Sequence, residues 1–379
     1  MVKFLMFHNA YAGKKVLVTG NTGFKGSWLT VWLLSLGAEV YGLSNGVPSD
    51  PSMFEVLNLR DRITYFEIDI RQAEAVSAVI AQVKPDFLFH LAAQPIVRAA
   101  YADPLGTLGS NIMGTAHVLE GLRLSNHPCT AVMITSDKAY DNVEWVWGYR
   151  ENDRLGGKDP YSASKGAAEL VIKTYYHSYF KQPGSVVRIA TGRAGNVVGG
   201  GDWAAHRLVP DCFRQWGAGQ TVEIRNPQST RPWQHVLEAL GGYLHLGQQL
   251  SVRPELHGEA FNFGPNTQKN YTVREVLEEV RQHWQFDGVV DPVRYVENKG
   301  VREDGLLKLN CDKAQFELNW SAVLDFQELA RLTASWYYQF YRVANADMFR
   351  FTQDQLTEYA GLAAERHAAW AVLEGQPEH

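Results

Sequence analysis

Tyr161-Ser162-Ala163-Ser164-Lys165 sets a phenol and an ammonium four residues apart, which on a helix places them on one face. A nearby cation favours the phenolate and draws the tyrosine pKa towards neutrality, making a general base able to take a proton from a hydroxyl. Pro160, just before, is a helix-start signal. A second constellation, Thr135-Ser136-Asp137-Lys138, closes the apolar run Ala131–Ile134. In an open parallel sheet the carboxyl end of a strand is where ligands sit. Ser136 could there hydrogen-bond the same hydroxyl as Tyr161, with Asp137 and Lys138 supplying one acid and one amine. The plain alternative is a solvated pair on a surface helix or turn; a glycine turn upstream favours the chemical reading.

That turn follows the strand-like Val16–Thr19 and reads Gly20-Asn21-Thr22-Gly23-Phe24-Lys25-Gly26, before a helix-like run Ser27–Leu36. The first glycine permits a tight turn, the second lets backbone approach a pyrophosphate, and the third lets helix and strand pack closely. The helix N-terminus then offers N–H groups and partial positive charge to the phosphates, so a nicotinamide dinucleotide is the expected cofactor. Lys25 either adds charge to those phosphates or is solvated. The acidic residue that grips the adenosine ribose is missing, since its place reads Leu43-Ser44-Asn45. NAD is expected, with NADP left open. Asp69-Ile70 is either an adenine contact or a strand-end cap of the next helix.

These groups need a frame. β-Branched and apolar runs at Val16–Val18, Glu39–Leu43, Ile63–Phe66, Phe87–Phe89, Ala131–Ile134 and Val186–Ile189 alternate with helical patterns at Trp28–Leu36, Ala73–Gln82 and Thr115–Leu124. Strands apolar on both faces, separated by helices, predict an α/β fold with a doubly wound parallel sheet. At ~100–200 residues per domain, 379 residues suggest about two. Residues 1–190 read as the dinucleotide-binding domain, joined by part of 227–260. Residues 191–379, where Gly199-Gly200-Gly201 and several prolines break the pattern, read as a smaller α/β substrate-binding lobe with C-terminal helices. The aromatic stripe Trp336, Tyr337, Tyr338, Phe340 and Tyr341 reads as core packing.

A net charge of −5 with 20% charged residues gives no pull towards nucleic acid or anionic lipid. No apolar run reaches the ~18–20 residues that cross a bilayer. Three dispersed cysteines (Cys129, Cys212 and Cys311) form no CxxC pair, so neither a metal site nor a disulfide framework is expected. Residues 1–13 read as a loose leader and not as a signal peptide, which leaves the cytoplasm as the expected location.

Further motifs are Leu91-Ala92-Ala93-Gln94-Pro95, Trp147-Gly148-Tyr149-Arg150-Glu151-Asn152, Gly199-Gly200-Gly201-Asp202-Trp203 and Thr230-Arg231-Pro232-Trp233-Gln234-His235-Val236. With the glycine turn, the Ser-Asp-Lys segment and the Tyr-Lys segment, they resemble the nucleotide-sugar 4,6-dehydratases of the extended short-chain dehydrogenase/reductase family, the CDP-glucose enzymes above all. The likeness runs from about Lys14 to the C-terminal aromatic segment. Asn21 stands where that family has His, and Ala139 where it has Cys. The first change bears on NAD against NADP, and both leave open a relative acting on another sugar or nucleotide.

The resemblance implies a lyase that recycles its cofactor. Tyr161, helped by Ser136 and Lys165, would take the 4-hydroxyl proton as hydride leaves C4 for the nicotinamide. The 4-ketone then acidifies the C5 proton. Lys138 would remove it and Asp137 would protonate the departing 6-hydroxyl, or the two roles are exchanged; hydride finally returns to C6. Leu91, Ala92, Ala93 and Gln94 are expected to line the cofactor. Arginine's fork matches phosphate oxygens, so Arg207 and Arg231, with Asn196, are candidates for the substrate's diphosphate, and Arg98 and Arg225 weaker ones. A homodimer or dimer of dimers is expected. An epimerase or 4-reductase on the same fold would keep Tyr161 and Lys165 without needing Asp137-Lys138. A non-catalytic dinucleotide-binding scaffold would need the glycine turn alone.

Overall fold

Strands that are apolar on both sides belong in the middle of a layered structure, and here they form its central layer. The computed structural model describes residues 4–205, 207–265, 271–286, 291–296 and 306–373. Seven strands make one sheet: β1 (Lys15–Thr19), β2 (Glu39–Ser44), β3 (Thr64–Glu67), β4 (Phe87–His90), β5 (Cys129–Ile134), β6 (Val187–Ala194) and β7 (Ala260–Phe263). Their order is β3-β2-β1-β4-β5-β6-β7, with every neighbouring pair parallel. The chain reverses direction across the sheet between β1 and β4, the place where a doubly wound sheet opens a crevice at its strand ends.

Alternation along each strand divides the apolar side chains between two cores. Val16, Val18, Phe87 and Phe89 face one, whereas Leu17 and Leu88 face the other. Helices α1 (Phe24–Ser35) and α5 (Val236–Val252) cover the first face. The second is covered by α2 (Ala73–Val83), α3 (Gly114–Ser125) and α4 (Pro160–Tyr175).

The strands and helices differ from expectation mainly at their ends. The first helix begins at Phe24, not after Gly26, so the last part of the glycine turn is already helical. The strand expected to end at Ile189 continues to Ala194 because Thr191–Ala194 gains a second partner, Ala260–Phe263. The expectation of a loose leader is overturned. Phe4–Met6 pairs antiparallel with Ala371–Leu373, and Phe7 and Tyr11 are buried. Phe7 stacks on Trp370 with ring centroids 5.1 Å apart, and the Tyr11 hydroxyl donates to the Leu244 carbonyl at 2.5 Å. Apolar residues so close to the start bury more favourably than they hydrate.

The C-terminal aromatic stripe lies on α6 (Phe326–Arg342), which packs against α7 (Met348–Glu365). Trp336 and Tyr337 are fully buried, as packing predicts. A Cβ at Gly200 would come within 2.1 Å of the Trp336 ring, which accounts for a glycine there.

Candidate active site

The glycine turn is shaped by close backbone contact. Gly20 has φ +74°, and a Cβ there would lie 2.7 Å from the Ala92 nitrogen. A Cβ on Gly26 would meet the Gly20 carbonyl at 2.1 Å, so α1 is pressed directly onto the turn. Gly23 has more space, its nearest neighbour being 3.4 Å away, and it caps α1 without any side-chain hydrogen bond. The first N–H groups of a twelve-residue helix are thereby left to a ligand at the sheet's crevice. This cradle fits a dinucleotide diphosphate.

Two side chains of the turn are held by neighbouring elements. Asn21 is buried beneath the turn, its Oδ1 accepting from the Ser44 hydroxyl at 2.8 Å. Its amide fills the space over Gly42, where a Cβ would come within 2.4 Å. Ser44, in the place of the missing acid, thus holds the turn onto β2. Lys25 is half-buried. Its ammonium lies 5.8 Å from the centre of the Tyr243 ring and interacts with Asp137. Burial, Arg207 and Lys165 lower its pKa to about 8, against the pull of Asp137.

Asp69 binds Arg71, with oxygens 2.6 and 3.0 Å from the guanidinium and 2.9 Å from the Arg71 N–H. It does not cap α2, whose cap residue is Gln72. Ile70 is buried, and its carbonyl meets the His117 ring nitrogen at 2.8 Å.

The loop after β4 joins the turn to the Tyr-Lys helix. The Thr19 hydroxyl accepts from the Ala92 N–H at 3.3 Å and meets His90 Nδ1 at 2.7 Å. Leu91 and Ala93 are half-buried beside it. The Gln94 N–H donates to Asn111 at 2.7 Å, and the Asn111 amide donates to the Ser164 hydroxyl at 2.8 Å. Asn111 lies in a wide helical turn, Gly109–Met113, that directs it out of the regular helix.

Asp159 starts α4 by accepting from the N–H groups of Tyr161 and Ser162 at 2.9 and 3.0 Å. Gly166 lets the helix approach the Ala139 carbonyl, to which a Cβ would stand at 3.2 Å. This brings the two constellations together. Ser136 donates to Asp137 at 2.9 Å and also lies within hydrogen-bonding reach of the Tyr161 phenol. The Ser136 hydroxyl thus binds the carboxyl and also favours the ionised phenol. Tyr161, Lys165, Ser136 and Asp137 are all buried, and Lys138 is half-buried.

Electrostatics departs from the simple pairing argument. Burial holds Tyr161 up at about 12, with Ser136 and Arg207 pulling down and Asp137 pushing up. The expected drop towards neutrality through Lys165 is not found. Lys165 is itself lowered to about 8 by burial, opposed by Glu169. Asp137 is raised by burial, with Lys138, Ser136 and Lys25 acting against the rise.

Residues 17–333 match the family model described as GDP-mannose 4,6 dehydratase. A CDP-glucose 4,6-dehydratase of Salmonella typhimurium is 42% identical over 362 residues, which is 93% of this chain and 97% of that protein. The chain belongs to this 4,6-dehydratase family. A dTDP-glucose 4,6-dehydratase of Streptomyces antibioticus is 28% identical, covering 85% of this chain and 92% of its own. In fold, the chain is similar to DesIV, a dTDP-glucose 4,6-dehydratase of Streptomyces venezuelae solved with NAD and TYD bound. The TM-score is 0.71 at 22% identity, over 86% of this chain and 97% of that one. The expected fold and nucleotide-sugar dehydratase family are both met.

On the substrate side of this dehydratase fold, the arginines fare differently. Arg207 pairs with Asp202 at 2.8 Å and interacts with Tyr161 and Lys25, so it belongs to the cluster. Arg231 is half-buried and donates to the Thr230 carbonyl at 2.9 Å. Arg98, Arg225 and Asn196 are exposed, the last accepting from the Gln234 N–H through its carbonyl at 3.2 Å. Trp233 donates to the Tyr271 carbonyl at 3.1 Å. Sequence reasoning missed Asn111, Tyr243 and the buried pair Glu169–Arg193. Glu169 had a signal, since it follows Lys165 by the same four residues that separate Lys165 from Tyr161.

Proposed function

We propose that the protein is an NAD-dependent CDP-glucose 4,6-dehydratase that yields CDP-4-keto-6-deoxyglucose and water. The observation that carries this reading is the buried set Tyr161, Lys165, Ser136 and Asp137, with Ser136 bonded to Asp137, beside a glycine turn built for a diphosphate. A base for one hydroxyl and an acid for another are thus held in one place, as elimination requires and simple epimerisation does not. Gly20, Gly23, Phe24 and Gly26 would hold the diphosphate of NAD, with Leu91–Gln94 alongside. When bound, NAD supplies the acceptor for hydride from C4 and its donor to C6.

The chain's own residues then divide the proton transfers. Tyr161 takes the 4-hydroxyl proton, helped by Ser136 and Lys165, with Ser136 and Arg207 favouring the phenolate. Lys138 takes the C5 proton that the ketone acidifies, and Asp137, whose pKa burial raises, protonates the 6-hydroxyl as water leaves; Lys138 then returns a proton to C5 as hydride reaches C6. Arg207 serves the substrate's diphosphate, and Arg231 and Asn196 its nucleotide end. Residues 1–190 with α5 and β7 form the cofactor part, and the remainder of 191–379 the substrate lobe.

CDP-, dTDP-, GDP- and UDP-hexoses should be incubated with NAD, with NADP and with neither, and products read by mass spectrometry. CDP-glucose is expected to lose one water, fastest with NAD. An epimerised product of unchanged mass, or preference for another nucleotide, would overturn the assignment.

We also infer a homodimer. The short helices Val97–Ala102 and Pro104–Leu108 pack on α4 and expose Val97, Tyr101 and Leu105, while α4 exposes Leu170. Such apolar exposure favours burial against a second copy. Light scattering should give twice the chain mass, and Leu105→Glu should reduce it to one. Three unpaired thiols fit a reducing compartment, and we place the protein in the cytoplasm.

A further inference from the structure

Near Asp137 lie two residues that the proposed chemistry leaves unused. Tyr243 on α5 is fully buried, and its hydroxyl has no hydrogen-bond partner among the described residues. Its ring abuts Gly192 near the end of β6, where a Cβ would stand 3.0 Å from it. The Asp137 carboxyl lies against the same stretch, 2.8 Å from where a Cβ on Gly195 would be. Tyr243 interacts electrostatically with both Asp137 and Tyr161. Lys25 reaches the same place from α1, its ammonium over the Tyr243 ring and coupled to Asp137.

A phenol with an unmade hydrogen bond is costly to bury. Phenylalanine would fill the space without that penalty. An ammonium drawn from the surface into a site already holding Lys165 and Arg207 is costly as well. Both costs become intelligible if the groups act on the carboxyl in front of them. We propose that Lys25 and Tyr243 are positioning residues that hold Asp137 in place and govern its proton, forming the inner wall of the elimination site. This rests on the dehydratase reading above and assigns Asp137 a fixed counter-charge independent of Lys138.

The groups facing Asp137 are Ser136 and Lys138 from its own segment, Lys25 from α1, Tyr161 from α4 and Tyr243 from α5. A cation nearby favours the carboxylate, so removing it must raise the pH at which Asp137 gives up its proton. Burial of Tyr243 raises its own pKa and keeps the phenol neutral, so its O–H, without a partner among the described residues, is available to Asp137 once that carboxyl ionises, a weaker influence of the same sign.

The full-length protein labelled with isotope at aspartate carboxyls should be titrated by NMR. Asp137 is assigned as the signal absent from Asp137→Asn. Lys25→Met is expected to move its midpoint upward by about one pH unit. Tyr243→Phe should move it in the same direction by less, without lowering the melting temperature, and Lys25→Arg should restore the original value. A midpoint unmoved in Lys25→Met overturns the role of the lysine, and one unmoved in Tyr243→Phe that of the phenol. The titration needs no turnover, so it can fail while wild type dehydrates CDP-glucose, and it can succeed if wild type does not.

Discussion

Lys138→Ala is expected to stop the reaction between its two halves, and Tyr161→Phe to stop it before the first. General acid–base groups of this kind contribute about 10²–10⁴-fold, so either variant should lose that much overall turnover. The two losses differ in what accumulates. Without the phenol, the 4-hydroxyl keeps its proton and the hexose stays intact. Without the Lys138 amine, Tyr161 and Ser136 are untouched, because the Ser136 hydroxyl donates to Asp137 and not to the lysine side chain. Oxidation at C4 can then proceed while the C5 proton has no acceptor. Stoichiometric enzyme quenched with CDP-glucose should therefore contain a 4-keto sugar that still carries its 6-hydroxyl. Normal 4-keto-6-deoxy product from Lys138→Ala would refute the assigned role, and 4-keto product formed by Tyr161→Phe at close to the wild-type rate would refute that of the tyrosine.

The parts of this site that could be read in the sequence are those fixed by local spacing. The glycine turn lies within seven residues, the Tyr-Lys pair within one helical turn, and Ser-Asp-Lys at one strand end. Which way their side chains turn depends on residues far along the chain. Asn21 goes beneath the turn because Gly42 leaves room and Ser44 offers a hydrogen bond. Lys25 goes inward because Tyr243, more than two hundred residues later, presents a ring to it. The sheet was legible up to Ile189, where strands and helices alternate. Its seventh strand was not, because Ala260–Phe263 is a four-residue run following a long excursion. The Arg-Pro-Trp-Gln-His-Val motif turns out to do structural work over most of its length. The Gln234 amide donates to the Phe263 carbonyl at 3.1 Å, and His235 pairs with Val198 beside β6. Likewise the fate of the N-terminus depended on Trp370, at the other end of the chain.

Glu169→Gln should destabilise the fold by about 3–5 kcal/mol, the cost of leaving one member of a buried ion pair alone. Arg193 and Glu169 are both essentially inaccessible to water, joined by two hydrogen bonds of 2.7 and 2.9 Å. Thr135 donates to the same carboxylate at 2.5 Å, and Arg193 donates to the Tyr140 hydroxyl at 2.7 Å. The pair therefore ties the end of β5, one residue before Ser136, to the turn of α4 that follows Lys165. Burial pushes the Glu169 carboxyl up, but Arg193 and Thr135 outweigh it and hold it below the ordinary range. A carboxyl depressed on folding contributes stability above its unfolded pKa and loses it as pH falls through the folded one. Arg193→Met reverses that sign, because burial of the stranded carboxyl then outweighs the remaining pull of Thr135 and Lys173, and protonation relieves it. Wild type should thus lose stability on acidification, whereas Arg193→Met should recover part of its deficit, as read from urea midpoints at several pH values. Removing both charges in Glu169→Gln/Arg193→Met should cost less than either change alone. Single variants within about 1 kcal/mol of wild type, the range of exposed pairs, would mean that the two constellations are aligned by packing and not by this pair.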